Sequence, residues 1–187
     1  MDIKEIIVDK VTKISCGDEK ETIQLKLVIS FFALIAITFS VFNIMSKSYP
    51  LLIATSSFAL LCIINLIIIK FVKNGLNIAK LLFEIEMIVL FTYFIISGGI
   101  EGFSIIWLLV LPTTGMLFFG RKSGLILSVA MFVILIVFML VPFSFVYDYS
   151  FTLRLRFPFI YLSVTIISYL LELLRTSELP AMTRPWP

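Results

Sequence analysis

The residues in this sequence that could do chemistry are few and far apart. Two carboxylates, Glu84 and Glu86, interrupt an apolar run, two thiols stand at Cys16 and Cys62, and there is no histidine. Without imidazole, and with the two thiols on segments that cannot meet, a structural disulfide, haem ligation and zinc coordination are all disfavoured. No nucleophile stands beside a base, no glycine loop is shaped for phosphate, and no surface suits nucleic acid. No lysine falls in the middle of an apolar run, where a Schiff-base chromophore would need one. Catalytic residues, metal ligands, cofactors and nucleic-acid partners are therefore not expected.

The elements that hold these few polar groups are apolar. Of the 187 residues, 60% are hydrophobic and 14% charged, and the mean hydropathy is +1.12. A soluble domain does not carry so much apolar surface. The apolar residues form blocks near the roughly 20 residues that a helix needs to cross a bilayer. Lipid cannot satisfy free backbone groups, so each block must be helical. The two-residue alternation of a barrel does not recur. The expected fold class is all-α, an integral membrane bundle of six transmembrane helices at Leu27–Met45, Leu51–Ile69, Ile78–Ser97, Phe103–Phe119, Ser123–Val141 and Phe157–Leu174. Only the connection from Pro142 to Arg156 has room for structure of its own.

Orientation follows from the basic residues, which are retained on the cytoplasmic side of short loops. Of the 15 lysines and arginines, an arrangement with both termini inside leaves only Lys47, Arg154 and Arg156 outside. Both termini are expected in the cytoplasm. Residues 1–26 lack the apolar core of a cleavable signal. Ile3, Ile6, Ile7, Val11 and Ile14 recur at helical spacing, so this segment reads either as a short helix on the cytoplasmic leaflet, ended by Gly17, or as an unstructured tail. Residues 27–175 make the membrane domain and 176–187 a cytoplasmic tail.

Polar groups inside a membrane are costly, and they are candidates for function. Glu84 reads most simply as reaching the headgroups beside Lys80. Glu86, deeper by about 3 Å, calls for a partner within the bundle or a proton of its own. Two residues apart, they project from nearly opposite faces of a helix. Asn43, Asn65 and Tyr93 read as hydrogen-bond glue between helices. The stretch from Ile96 to Gly124, ISGGIEGFSIIWLLVLPTTGMLFFGRKSG, is the most informative. Gly98, Gly99 and Gly102 allow a tight outer turn carrying Glu101, and Trp107 then lies near the outer interface. Pro112 is expected to kink the fourth span, with Thr113 or Thr114 repairing its backbone bonds. The loop from Phe143 to Arg156 offers Asp148 and the paired Arg154 and Arg156, and an anionic or lipid-like ligand would suit the arginines. Its four aromatics, Phe143, Phe145, Tyr147 and Tyr149, also fit an interfacial belt.

A glycine turn of the form GG.EG, a tryptophan, a mid-helix proline and a G-basic-basic-x-G turn resemble the six-helix N-terminal membrane regions of bacterial signalling proteins. Those regions precede diguanylate cyclase (GGDEF) or histidine kinase output domains. The matching residues are Gly98, Gly99, Glu101, Gly102, Trp107, Pro112, Gly120, Arg121, Lys122 and Gly124, and the resemblance in topology spans about residues 25 to 175. It implies a sensory or dimerising module of the bacterial inner membrane, multi-pass, with lipids and a second copy as partners. A lipid-like or small-molecule ligand is also implied. One departure is that TSELPAMTRPWP follows Arg175, and its prolines at 180, 185 and 187 are expected to forbid helical continuation. That tail reads either as the end of a natural short protein or, the favoured reading, as a remnant left where an output domain was separated. Two other readings stay open: a small transporter or substrate-binding membrane subunit that uses Glu86, or a partner that only anchors another protein.

Overall fold

A computed structural model of the chain describes the backbone of residues 3–141 and 143–182, with side chains for 21–141 and 143–176. Every regular element in it is helical. Runs of leucine, isoleucine and phenylalanine, broken only at Lys47, at Asn74 with Gly75, and around Gly98 to Gly102, give α1 (Ile3–Met45), α2 (Tyr49–Phe71) and α3 (Gly75–Ser97). A 3₁₀-helix η1 (Phe103–Leu109), α4 (Val110–Leu140) and α5 (Phe151–Met182) follow. Their outward faces are strongly apolar, with Ile126, Phe151 and Phe159 all largely exposed, as a lipid environment requires.

The chain divides into two compact units, Met1–Phe83 and Glu84–Pro187. In the first, α1 and α2 form an antiparallel hairpin around Lys47, whose φ of 56° turns the chain, and Ser48 N–H closes the turn on the Asn43 carbonyl at 2.9 Å. Phe32, Phe58 and Phe83 meet at ring separations of 5.7 to 6.4 Å and form its core. Ser40 and Asn43 hydrogen-bond Thr55 across the hairpin at 2.9 and 3.3 Å, the interhelical role expected of Asn43. Lys80 pairs with Glu21 of α1.

The second unit holds the last part of α3, η1, α4 and α5. Within α4, Gly120 is non-helical, with φ 80° and ψ 166°, a backbone region that essentially only glycine occupies. Residues eight or nine apart on a continuous helix are separated by about 12–13 Å. Yet a Cβ on Gly115 would lie 3.6 Å from Gly124 Cα, and one on Gly124 would overlap the Met116 backbone. The chain therefore folds back at Gly120, and the missing side chains of Gly115 and Gly124 let the two arms touch.

Several sequence expectations change here. The fourth and fifth expected spans belong to one interrupted element, η1 plus α4. Among the described residues, four elements are long and apolar enough to cross a membrane: 21–45, 49–71, 103–140 and 151–176. α3 falls outside that group because Lys80, Glu84 and Glu86 interrupt it. Pro112 does not kink the middle of a helix. It stands in the first turn of α4, where its missing N–H would have had no partner within α4. Thr114 does bond back, to the carbonyls of Val110 and Leu111 at 2.8 and 3.2 Å. α1 passes Gly17 without ending. α5 begins at Phe151 instead of Phe157, because Ser150 Oγ accepts the Leu153 N–H at 3.4 Å as an N-cap does. It also runs two residues past Pro180, which near a helix end forfeits a single backbone bond.

Candidate functional site

α3 ends where three residues in succession, Ser97, Gly98 and Gly99, leave the apolar run. The last carbonyls of any helix have no partner within it, and here those of Phe94, Ile95 and Ile96 find one elsewhere. Gly98 N–H donates to Phe94 O at 3.0 Å, and Tyr147 N–H donates to Ile96 O at 2.8 Å. Tyr149 Oη donates to Ile95 O at 2.8 Å, with Phe94 O at 3.3 Å. The end of α3 is thus closed by the loop between α4 and α5.

The glycines make room for that loop. Gly98 and Gly102 have φ of 65° and 82°, which a side chain rarely tolerates. Both also lie under tyrosines. A Cβ on Gly98 would run into the Tyr147 ring, and one on Gly102 would sit 3.3 Å from Tyr147 Cε1 and 3.6 Å from Tyr149 Cδ1. The two rings meet edge to face, 4.9 Å apart. Gly99 lies against Ser104, whose N–H reaches Gly98 O at 3.3 Å. Glu101 adopts φ 53° and is exposed at the tip of the turn. Tyr149 is only 3% exposed. Burial pushes its phenol above the ordinary range, and the neighbouring Tyr147 adds to that, so the hydroxyl stays a donor.

From this turn η1 carries Trp107, half-buried, into Pro112, buried at the start of α4. Seven residues of 3₁₀-helix is a long run for that geometry. A proline ring would strike the carbonyl four residues back in an α-helix, here that of Leu108, which accounts for the 3₁₀ register ahead of it.

α5 is tied to the α4 hairpin along one stripe, Phe157, Tyr161, Thr165 and Ser168, all buried. Tyr161 Oη donates to Ser128 O at 3.1 Å and stacks on Phe132 with centroids 6.0 Å apart. Ser168 Oγ and Thr113 Oγ1 are 2.8 Å apart. Near the Gly120 turn, Arg121 lies 5.9 Å from the Tyr169 ring centroid.

The structure brings Gly98 and Gly102 together with Tyr147 and Tyr149, and leaves the other candidates dispersed. Glu84 and Glu86 are half-buried two positions apart on α3, and Tyr93 is half-buried beside Phe94. Asp148 binds Arg154 at 2.5 Å, so this arginine already has a carboxylate, while Arg156 is exposed one turn along α5. Among the described residues no group of three or more histidines, cysteines or carboxylates could hold a metal ion. Sequence reasoning missed the hydroxyl of Tyr149 and the bonds from Tyr161 and Ser168. The available signal was the pair of tyrosines flanking Asp148, which the belt reading absorbed.

No curated protein and no solved structure matches the chain. A family model does match, across residues 22–179, a stretch that includes the glycine turn, the Gly120 reversal and the buried stripe of α5. The chain belongs to MASE6, a family of membrane-associated sensory domains whose role is not catalytic.

Proposed function

We propose that this chain is the sensory and dimerising membrane module of a bacterial signal-transduction protein. It passes a signal through α5 to a cytoplasmic output domain, of the diguanylate cyclase or histidine kinase kind, that lies outside this chain. The observation that carries this reading is the match to a sensory family running to residue 179 of α5. The α5 stripe bonded to the α4 hairpin by Tyr161 and Ser168 supports it, since a change of packing in that hairpin bears directly on α5.

On this reading the polypeptide crosses the bacterial inner membrane six times, with both termini in the cytoplasm. The reversal at Gly120, beside Arg121 and Lys122, supports two crossings within η1 and α4. The carboxylates of α3 lie no further along than its midpoint, and the residues after Glu86 carry no charge. A lipid-like or small-molecule ligand at the outer face would act only through a difference in affinity for two packings. The transporter alternative has less support, because Glu84 and Glu86 diverge.

The test is to join α5 in frame to an output domain and insert one to four residues at the junction. Activity should vary with the helical period of about 3.6 residues, and a flat response would remove the relay. A proteoliposome ion flux abolished by Glu86→Gln would favour transport instead.

A further inference from the structure

The bonds that close α3 come from a short segment whose other attachments are few. Among the described residues between Val141 and Ser150, the remaining backbone bonds are local turns, Phe143 N–H to Val141 O, Val146 N–H to Phe143 O and Tyr149 N–H to Tyr147 O, and Phe143 and Phe145 pack against Phe138 of α4 with ring centroids 5.6 and 6.2 Å away. Ser144, Phe145, Tyr147, Asp148 and Ser150 are exposed, and Tyr149 is the one buried residue among those described in this stretch. Its seat has no side chain beneath it at Gly98 or Gly102. Lifting Tyr147 and Tyr149 together therefore breaks two strong bonds, from Tyr149 Oη to Ile95 O and from Tyr147 N–H to Ile96 O, and uncovers the Tyr149 ring. Such an opening costs far less than unfolding helices, and it belongs to the low-stability end of local motions.

The segment also adjoins the start of α5. Ser150, the next residue, caps that helix through the Leu153 N–H, and its carbonyl accepts the Arg154 N–H at 3.0 Å. Asp148 grips Arg154 across the cap. Tyr149 and the first turn of α5 thus form one mechanical piece. When Tyr149 leaves its seat, the start of α5 goes with it.

We infer that Tyr147 and Tyr149 are a releasable latch. Seated on the Gly98–Gly102 turn, they hold the start of α5 to the end of α3; unseated, they free it. The glycines of the turn are the keeper of that latch. As a means of regulating α5 the idea rests on the sensory reading, but the latch itself is a local equilibrium that can be measured without any output domain.

The experiment is amide hydrogen exchange on the full chain in lipid nanodiscs, comparing wild type with Tyr149→Phe and Gly102→Ala. Tyr149→Phe keeps the ring and removes only the hydroxyl. Gly102→Ala weakens the seat from the opposite side. Loss of one such bond should speed exchange at Tyr147, Leu153 and Arg154 together, roughly fivefold, while Met131 and Leu135 in the α4 core stay slow. Faster exchange at Tyr147 with no change at Leu153 and Arg154 would overturn the coupling. No change at Tyr147 in Tyr149→Phe would overturn the latch. Should Gly102→Ala speed Met131 and Leu135 as well, Tyr149→Phe decides alone. A flat junction-insertion response with these exchange changes present would sink the sensory relay and leave the latch standing.

Discussion

Tyr149 donates its hydroxyl to the carbonyl of Ile95 at 2.8 Å, closing the end of one helix with a side chain 54 positions further along the chain. Through this bond the glycine turn after α3 and the start of α5 share one structural fate.

The bond makes Tyr149 a source of pH dependence. Its folded phenol is held above the ordinary value of about 10 by burial, so the folded state keeps the proton while the unfolded chain loses it. The stabilisation is complete below about pH 10 and declines as pH rises beyond that. Wild type should exceed Tyr149→Phe in stability by about 1 kcal/mol near neutrality. Unfolding curves in micelles at neutral and strongly alkaline pH should show that gap shrinking; a gap that widens would contradict the assignment.

Two glycines with positive φ should behave differently. Alanine at Gly98 meets both a left-handed backbone and the Tyr147 ring, a loss of about 3 kcal/mol. At Gly120 nothing lies within 4 Å of a Cβ, so only the backbone term of about 1–3 kcal/mol remains. Thermal unfolding of the two purified variants should rank them in that order.

The helical hairpin supplies a sharper pair. Gly124→Ala places a methyl inside the Met116 backbone, whereas Gly115→Ala makes ordinary contacts at 3.5 to 3.7 Å. The first should cost about 2–3 kcal/mol. The second should be neutral or gain up to about 1 kcal/mol from helix propensity. Equal stabilities would mean that the arms do not close at this point.

Hydrogen bonds along α5 should matter less than its packing. Ser168→Ala, which removes the bond to Thr113, should cost about 0.6 kcal/mol, as interhelical bonds in membranes do on average. Tyr161→Ala, which empties a fully buried site stacked on Phe132, should cost about 3–5 kcal/mol. Reversible unfolding in mixed micelles would measure both.

Much of this protein was legible in its residues. Hydropathy alone requires helices in a lipid environment, because no other open structure satisfies its backbone there. The breaks at Lys47, Asn74, the glycine turn and Gly120 mark where the chain turns, since each needs a conformation that long apolar side chains resist. Boundaries at Gly17, Phe157 and Pro180 went astray because a helix tolerates one glycine or one missing donor when its remaining bonds persist. Pro112 was misread for a related reason: its effect depends on whether a helix begins just before it, and its own residue type does not say.

What only the tertiary structure decided is which turn meets which loop. The partners of Ile95 and Ile96 lie some fifty residues away, and no local periodicity encodes a contact at that separation. Gly98, Gly102, Gly115 and Gly124 are present in the sequence as absences of a side chain. Only folding shows that the first two are filled by tyrosines and the last two by the opposing arm of the hairpin, because the space a missing Cβ leaves is defined by what packs into it.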